Sequence, residues 1–141
     1  MGLSFVRRHC IALGVLAGFA GFLPANAAQP PARAPATLLV VGDSLSAEYG
    51  LKRGTGWVAL LEKRLAQEKI SATVINASIS GDTTSGGRAR LPSLLSQHKP
   101  KVVVIELGGN DALRGLPLAM TQDILQAMTQ AAQAAGANVL F

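Results

Sequence analysis

Four short apolar runs restrict the folds open to this chain. Residues 37–41, 73–77 and 101–107 are rich in branched side chains and stop abruptly at small or polar stretches, and a fourth run opens at 138–141. Between them, residues 57–68 set Trp57, Leu60, Leu61 and Leu65 at helical spacing, and 116–135 does the same with Leu118, Ile124, Leu125 and Met128. Residues 88–97 also have a helical pattern, with Pro92 leaving its start or a kink open. Near-continuous apolar strands alternating with helices predict a parallel α/β layered domain, its sheet covered on both faces.

Ligands of such sheets sit beyond the carboxyl ends of the strands. Those ends carry distinctive residues here. The first run passes through Gly42 and Asp43 to Ser44, the second leads to Gly81, and the third runs into Gly108-Gly109-Asn110-Asp111. A serine on a sharp strand-to-helix turn is exposed to substrate on a rigid backbone, which suits a nucleophile. Taken alone, the same residues also suit an ordinary strand end with Asp43 and Ser44 as solvated turn or N-cap residues. The other two strand ends alter that balance. Ester hydrolysis needs a hydroxyl, a base and donors for the developing oxyanion. Ser44 offers the hydroxyl and its own N–H, Gly81 an unobstructed backbone N–H, and Asn110 a side-chain amide. Trp57, at the start of the first helix, reads as a packing residue in preference to a substrate contact.

The 141 residues suit one domain after any targeting segment is removed, and 49% hydrophobic with 15% charged content argues against disorder. Arg7-Arg8, an apolar stretch over 11–23 and the A-x-A site in Pro24-Ala25-Asn26-Ala27 predict a Sec-type signal peptide over 1–27, with a retained anchor as the alternative. Without it, 11 basic face 8 acidic residues, a charge of +3 scattered along the chain. That argues against a nucleic-acid surface. Residues 28–36 are a Pro/Ala-rich lead-in and 37–141 the domain proper. The single cysteine, Cys10, belongs to the leader and is badly placed for lipid attachment, so the exported chain uses no disulfide.

Gly42-Asp43-Ser44-Leu45-Ser46, Gly81 within Ser78-Ile79-Ser80-Gly81-Asp82-Thr83, and Gly108-Gly109-Asn110-Asp111 together resemble the three leading blocks of the GDSL, or SGNH, hydrolases. The strings NASISGDTTSGG, ARLPSLL and VIELGGNDALRGLP are similar to the periplasmic multifunctional thioesterase/arylesterase/lysophospholipase group within that family. The resemblance implies a three-layer α/β/α flavodoxin-like sheet, Ser44 as nucleophile, and an oxyanion hole of Ser44, Gly81 and Asn110. It further implies no metal and no cofactor, acyl ester, thioester or lysophospholipid substrates, and a mobile loop around 111–117 beside the acyl groove. A periplasmic or secreted location follows from the leader, with no stable membrane span after its cleavage. Asp43 and Asp111, each adjacent to a motif residue, read as braces for their loops.

The family draws its base and orienting acid from a D-x-x-H block near the C-terminus, and this sequence has none. Its two histidines are His9, in the leader, and His98, before the third strand and therefore at the far end of the sheet. The expectation is a chain truncated within the fourth strand, with an oxyanion hole, an unactivated serine and little or no turnover. Its fourth strand would form an apolar edge that favours aggregation. The alternative is a catalytically dead acyl- or glycan-binding module of the same fold. A flavodoxin-type cofactor binder would want more Ser, Thr and Gly after the first strand, and an aspartate phosphotransferase a second acid beside Asp43. P-loop and zinc-site spacings are missing.

Overall fold

A computed structural model describes residues 34–141. The expected leader over 1–27, and 28–33 of the lead-in, lie outside the described residues. Strand β1 (Ala36–Gly42) is followed by α1 (Trp57–Gln67), β2 (Ala72–Asn76), α2 (Thr84–His98), β3 (Val102–Glu106), α3 (Gly109–Leu113), α4 (Leu118–Ala134) and β4 (Asn138–Leu140). The four strands form one parallel sheet in the order β2-β1-β3-β4.

This order assigns the helices to faces. The β1-to-β2 crossover runs one way along the sheet, and the crossovers to β3 and β4 run the other way. Right-handed connections therefore put α1 on one face and α2 with α4 on the opposite one. Burial agrees. Leu39 and Val41 of β1, in register with Val103 and Ile105 of β3, are buried with Leu91 and Leu95 of α2 and Ile124, Met128 and Ala132 of α4. Strand residues alternate, so Leu38, Val40, Val102 and Val104 point to the α1 face. Val40 is buried there, whereas Leu38, Val102 and Val104 are only half-buried.

Three local expectations need correction. The helix expected over 88–97 begins at Thr84, because Thr83 caps it by accepting from the Gly86 N–H at 3.4 Å. The glycines that suggest a loop instead permit close packing: a Cβ on Gly87 would lie 2.3 Å from Leu107 Cδ1 and 3.2 Å from Met128 Cε. Pro92 lies inside this helix. The helix expected over 116–135 starts at Leu118, and a separate single-turn α3 occupies the first part of the 111–117 stretch before it. Finally, Trp57 and Leu60 are not on the inner face of α1. Val58 is the buried residue, Leu61 and Leu65 are half-buried, and Leu60 is 54% exposed.

Candidate active site

The chain order reverses across the sheet at β1, which lies between β2 and β3. In open parallel sheets the ligand crevice lies at the carboxyl edge where loops leaving neighbouring strands diverge, and this chain order places that point between β1 and β3. Ser44 stands two residues past β1, Asn110 is the second residue of α3 after β3, and Gly81 follows β2, so the three occupy neighbouring strand ends.

The serine turn is tightly determined. Asp43, 3% exposed, accepts the Leu45 N–H on Oδ1 at 3.0 Å and the Asn110 amide on Oδ2 at 2.9 Å. The first bond closes a local Asx-type turn around Ser44, and the second reaches across to the β3 loop. The Asp43 carbonyl accepts from the Ala47 N–H, and the Ser44 carbonyl from the Tyr49 N–H. Ser44 itself is half-buried. A Cβ on Gly42 would fall 2.6 Å from Ser46 Oγ and 3.0 Å from Glu106 Oε2, so the turn closes only over glycine.

Beneath the turn runs a polar chain. Ser46, 1% exposed, donates its hydroxyl to Glu106 Oε2 at 2.8 Å and accepts the Trp57 indole N–H at 3.0 Å. Asn76, at the end of β2, donates to the Ser46 carbonyl at 2.8 Å. Trp57 thus serves as a hydrogen-bond donor to the serine loop, and 37% of it remains exposed. Farther along the same loop, Glu48 accepts from the Gly54 and Gly56 amides at 2.8–3.0 Å. These bonds, Gly54 first, hold its carboxyl below the usual carboxylate value, with a smaller contribution from Arg53.

On the opposite rim, Gly81 adopts φ +78°, a left-handed conformation that suits glycine, and nothing crowds the position of its absent Cβ. Its carbonyl accepts from Arg114 at 2.8 Å. Asn110 Nδ2 donates to Asp43 and also to the Asp82 carbonyl at 2.9 Å, so both amide hydrogens are engaged. Asp111, 1% exposed, accepts the Thr84 N–H at 2.9 Å and hydroxyl at 2.5 Å, tying α3 to the start of α2.

His98 is the last residue of α2, whose first turn borders the site. Fifteen residues of helix separate the two by about 22 Å, so His98 is far from Ser44. It is half-buried. Among the described residues, no three His, Cys, Asp or Glu side chains converge on a metal-sized site, and no helix is long and apolar enough to cross a membrane. A depression of about 710 Å³ runs along α4 from Leu118 to Gln133 and Phe141, but Ser44, Gly81 and Asn110 do not line it.

Sequence reading missed Arg90, Glu106, Arg114 and Thr84 as parts of this corner. Glu106 left a trace, as the one acid closing an otherwise apolar strand. Arg90, Arg114 and Thr84 left none, because their partners lie far along the chain.

The chain has close relatives. It is 62% identical over 105 residues to Esterase TesA of Pseudomonas aeruginosa, covering 74% of this chain and 52% of the relative. It is 50% identical over 110 residues to a thioesterase/protease/lysophospholipase of Escherichia coli (strain K12), covering 78% and 51%. The chain therefore spans about half the length of these relatives. A crystal structure of the psychrotrophic esterase EstA from Pseudoalteromonas sp., inhibited by monoethylphosphonate, superposes with a TM-score of 0.70 at 48% identity, covering 73% of this chain and 56% of that one. Residues 40–141 match the GDSL-like Lipase/Acylhydrolase family, and the chain belongs to it.

Proposed function

We propose that this chain carries the nucleophile and oxyanion-binding part of a serine hydrolase that cleaves acyl esters or thioesters, arylesters and lysophospholipids among them. Ser44 is the nucleophile, its own N–H, the Gly81 N–H and the Asn110 amide receive the oxyanion, and Asp43 and Asp111 brace their loops. The observation that best supports this is the bond from Asn110 to Asp43, which draws the β3 loop against the serine turn.

In this mechanism Ser44 Oγ attacks the acyl carbon, loses its proton to a base, and places negative charge on the former carbonyl oxygen. Collapse expels the alkoxide or thiolate, which takes up a proton, and water then releases the acyl group from Ser44. Since both Asn110 hydrogens are engaged, the oxyanion must displace Asp43 or the Asp82 carbonyl as acceptor. Each oxyanion donor is typically worth about 10²–10³ in kcat. His98 is too distant to act as base and His9 lies in the leader we propose, so on this reading residues 28–141 by themselves hydrolyse slowly or not at all. We further propose Sec-type export to the periplasm or medium, a small-molecule partner, and no nucleic-acid partner.

A fluorophosphonate probe at alkaline pH tests the assignment, because hydroxide can replace the base and the phosphoryl oxygen occupies the oxyanion site. Covalent labelling should occur, vanish in Ser44→Ala, and rise in proportion to hydroxide without a plateau near neutrality. Undiminished labelling of Ser44→Ala, or an unlabelled wild type, rejects the nucleophile. The saturated Asn110 amide favours one second reading, an inactive acyl- or glycan-binding module. An unlabelled wild type that still retains an acyl ligand in equilibrium dialysis would establish it.

A further inference from the structure

We propose that Arg90 is the positioning residue of the oxyanion corner, one guanidinium setting Gly81 and Asn110 together against the serine turn; this rests on the hydrolase reading above. Arg90 lies in the second turn of α2, its side chain 19% exposed, and pairs with Asp82, whose side chain is 13% exposed. Its Nε donates to Asp82 Oδ2 at 2.9 Å, and Nη2 lies 2.9 Å from the same oxygen. Nη1 donates to the Ala77 carbonyl, just past β2, and Nη2 also reaches the carbonyl of Gly42, the last residue of β1, at 3.4 Å. One planar fork thus grips two strand ends and the loop between Gly81 and Thr83.

Asp82 passes this constraint on. Its carbonyl holds Asn110, its Oδ1 accepts the Thr83 N–H at 3.1 Å, and its backbone directly follows Gly81. The sequence leaves room for the carboxylate: a Cβ on Gly86 would lie 1.9 Å from Asp82 Oδ1. Helix α2 has separate anchors in Leu91, Leu95 and the Thr84–Asp111 pair. The acceptors of the Arg90 guanidinium, by contrast, all belong to the strand ends and loop around the site. Lysine keeps the charge but not the fork, and cannot reach these acceptors in the same plane.

The test is the rate of Ser44 phosphonylation by a fluorophosphonate in Arg90→Met and Arg90→Lys. Arg90→Met should slow the covalent step about 100-fold, the scale of one lost oxyanion donor. Reversible probe affinity and the linear hydroxide dependence should stay unchanged. Arg90→Lys should fall in between, with its unfolding midpoint retained and the Asn110 side-chain amide resonance shifted. Wild-type labelling rates in Arg90→Lys, or a loss in Arg90→Met that only follows its folded fraction, would overturn the proposal. A wild type without labelling at Ser44 sinks the hydrolase reading itself. The amide resonance then decides the geometric claim, which fails if Arg90→Lys leaves that resonance unmoved.

Discussion

The two faces of the sheet are built differently. On the α2/α4 face, Leu39, Val41, Val103 and Ile105 meet Leu91, Leu95, Ile124 and Met128 in one closed apolar layer. On the other face, among the described residues, α1 alone covers the strands. It buries Val58, while Leu60 and part of Trp57 face outward. Apolar burial therefore holds the first face and polar chains hold much of the second: Trp57 to Ser46 to Glu106, and Glu48 to Gly54 and Gly56. The candidate site straddles the boundary. Its Gly81–Asn110 rim is attached to the packed face through Arg90 and Thr84, and its serine turn to the thin face through Ser46.

The strongest way to break this contrast is to truncate one apolar side chain in the packed layer and one on α1. Met128→Ala removes a fully buried side chain and should cost about 2–5 kcal/mol. Leu60→Ala, on the exposed side of α1, should stay within about 0.5 kcal/mol. Urea unfolding of both variants decides it, and comparable losses would mean that the α1 face is as closed as its opposite.

A smaller effect sharpens the contrast at the boundary. Asp111→Ala strands the Thr84 N–H and hydroxyl, both buried, and should cost on the order of 1–3 kcal/mol. Asp111→Asn keeps one acceptor and should lose less. If the two variants lose equally, the carboxylate's charge matters more than its two hydrogen bonds.

The packed face was the more legible one in the sequence. Its strands are unbroken branched runs in a parallel sheet, a pattern that leaves little choice of secondary structure. The motif residues were legible as strand ends, because the first and third apolar runs stop at Gly42 and Gly108 and the second gives way to the polar loop that carries Gly81. What escaped was whatever depends on contacts between distant segments. Gly86-Gly87 reads as loop until Leu107 and Met128 are seen crowding it. Periodicity put Leu60 inward, since spacing alone cannot tell which side of a short helix has a partner. Arg90 reads as one more helix charge until its acceptors, 8 to 48 positions away, converge on it.

The subtlest consequence of the contrast is its response to acid. Gly56, the N-cap of α1, offers no side chain, and Glu48, eight residues upstream, accepts the Gly56 N–H at 2.8 Å beside the positive end of the helix. Those bonds favour the ionised carboxylate, so its pKa in the folded chain is lowered from 4.5. A lowered folded value gives stability that is fully present above the unfolded value and is lost as pH falls through the folded one. Amide protection at Gly54 and Gly56, corrected for intrinsic exchange, should therefore drop on acidification below about 4.5, while Val41 and Ile105 in the sheet stay protected. Glu48→Gln should show the weakened protection already at neutral pH and little further change on acidification. Protection at Gly54 and Gly56 that survives acid unchanged would mean that apolar contacts, not this carboxylate, hold the serine loop to α1.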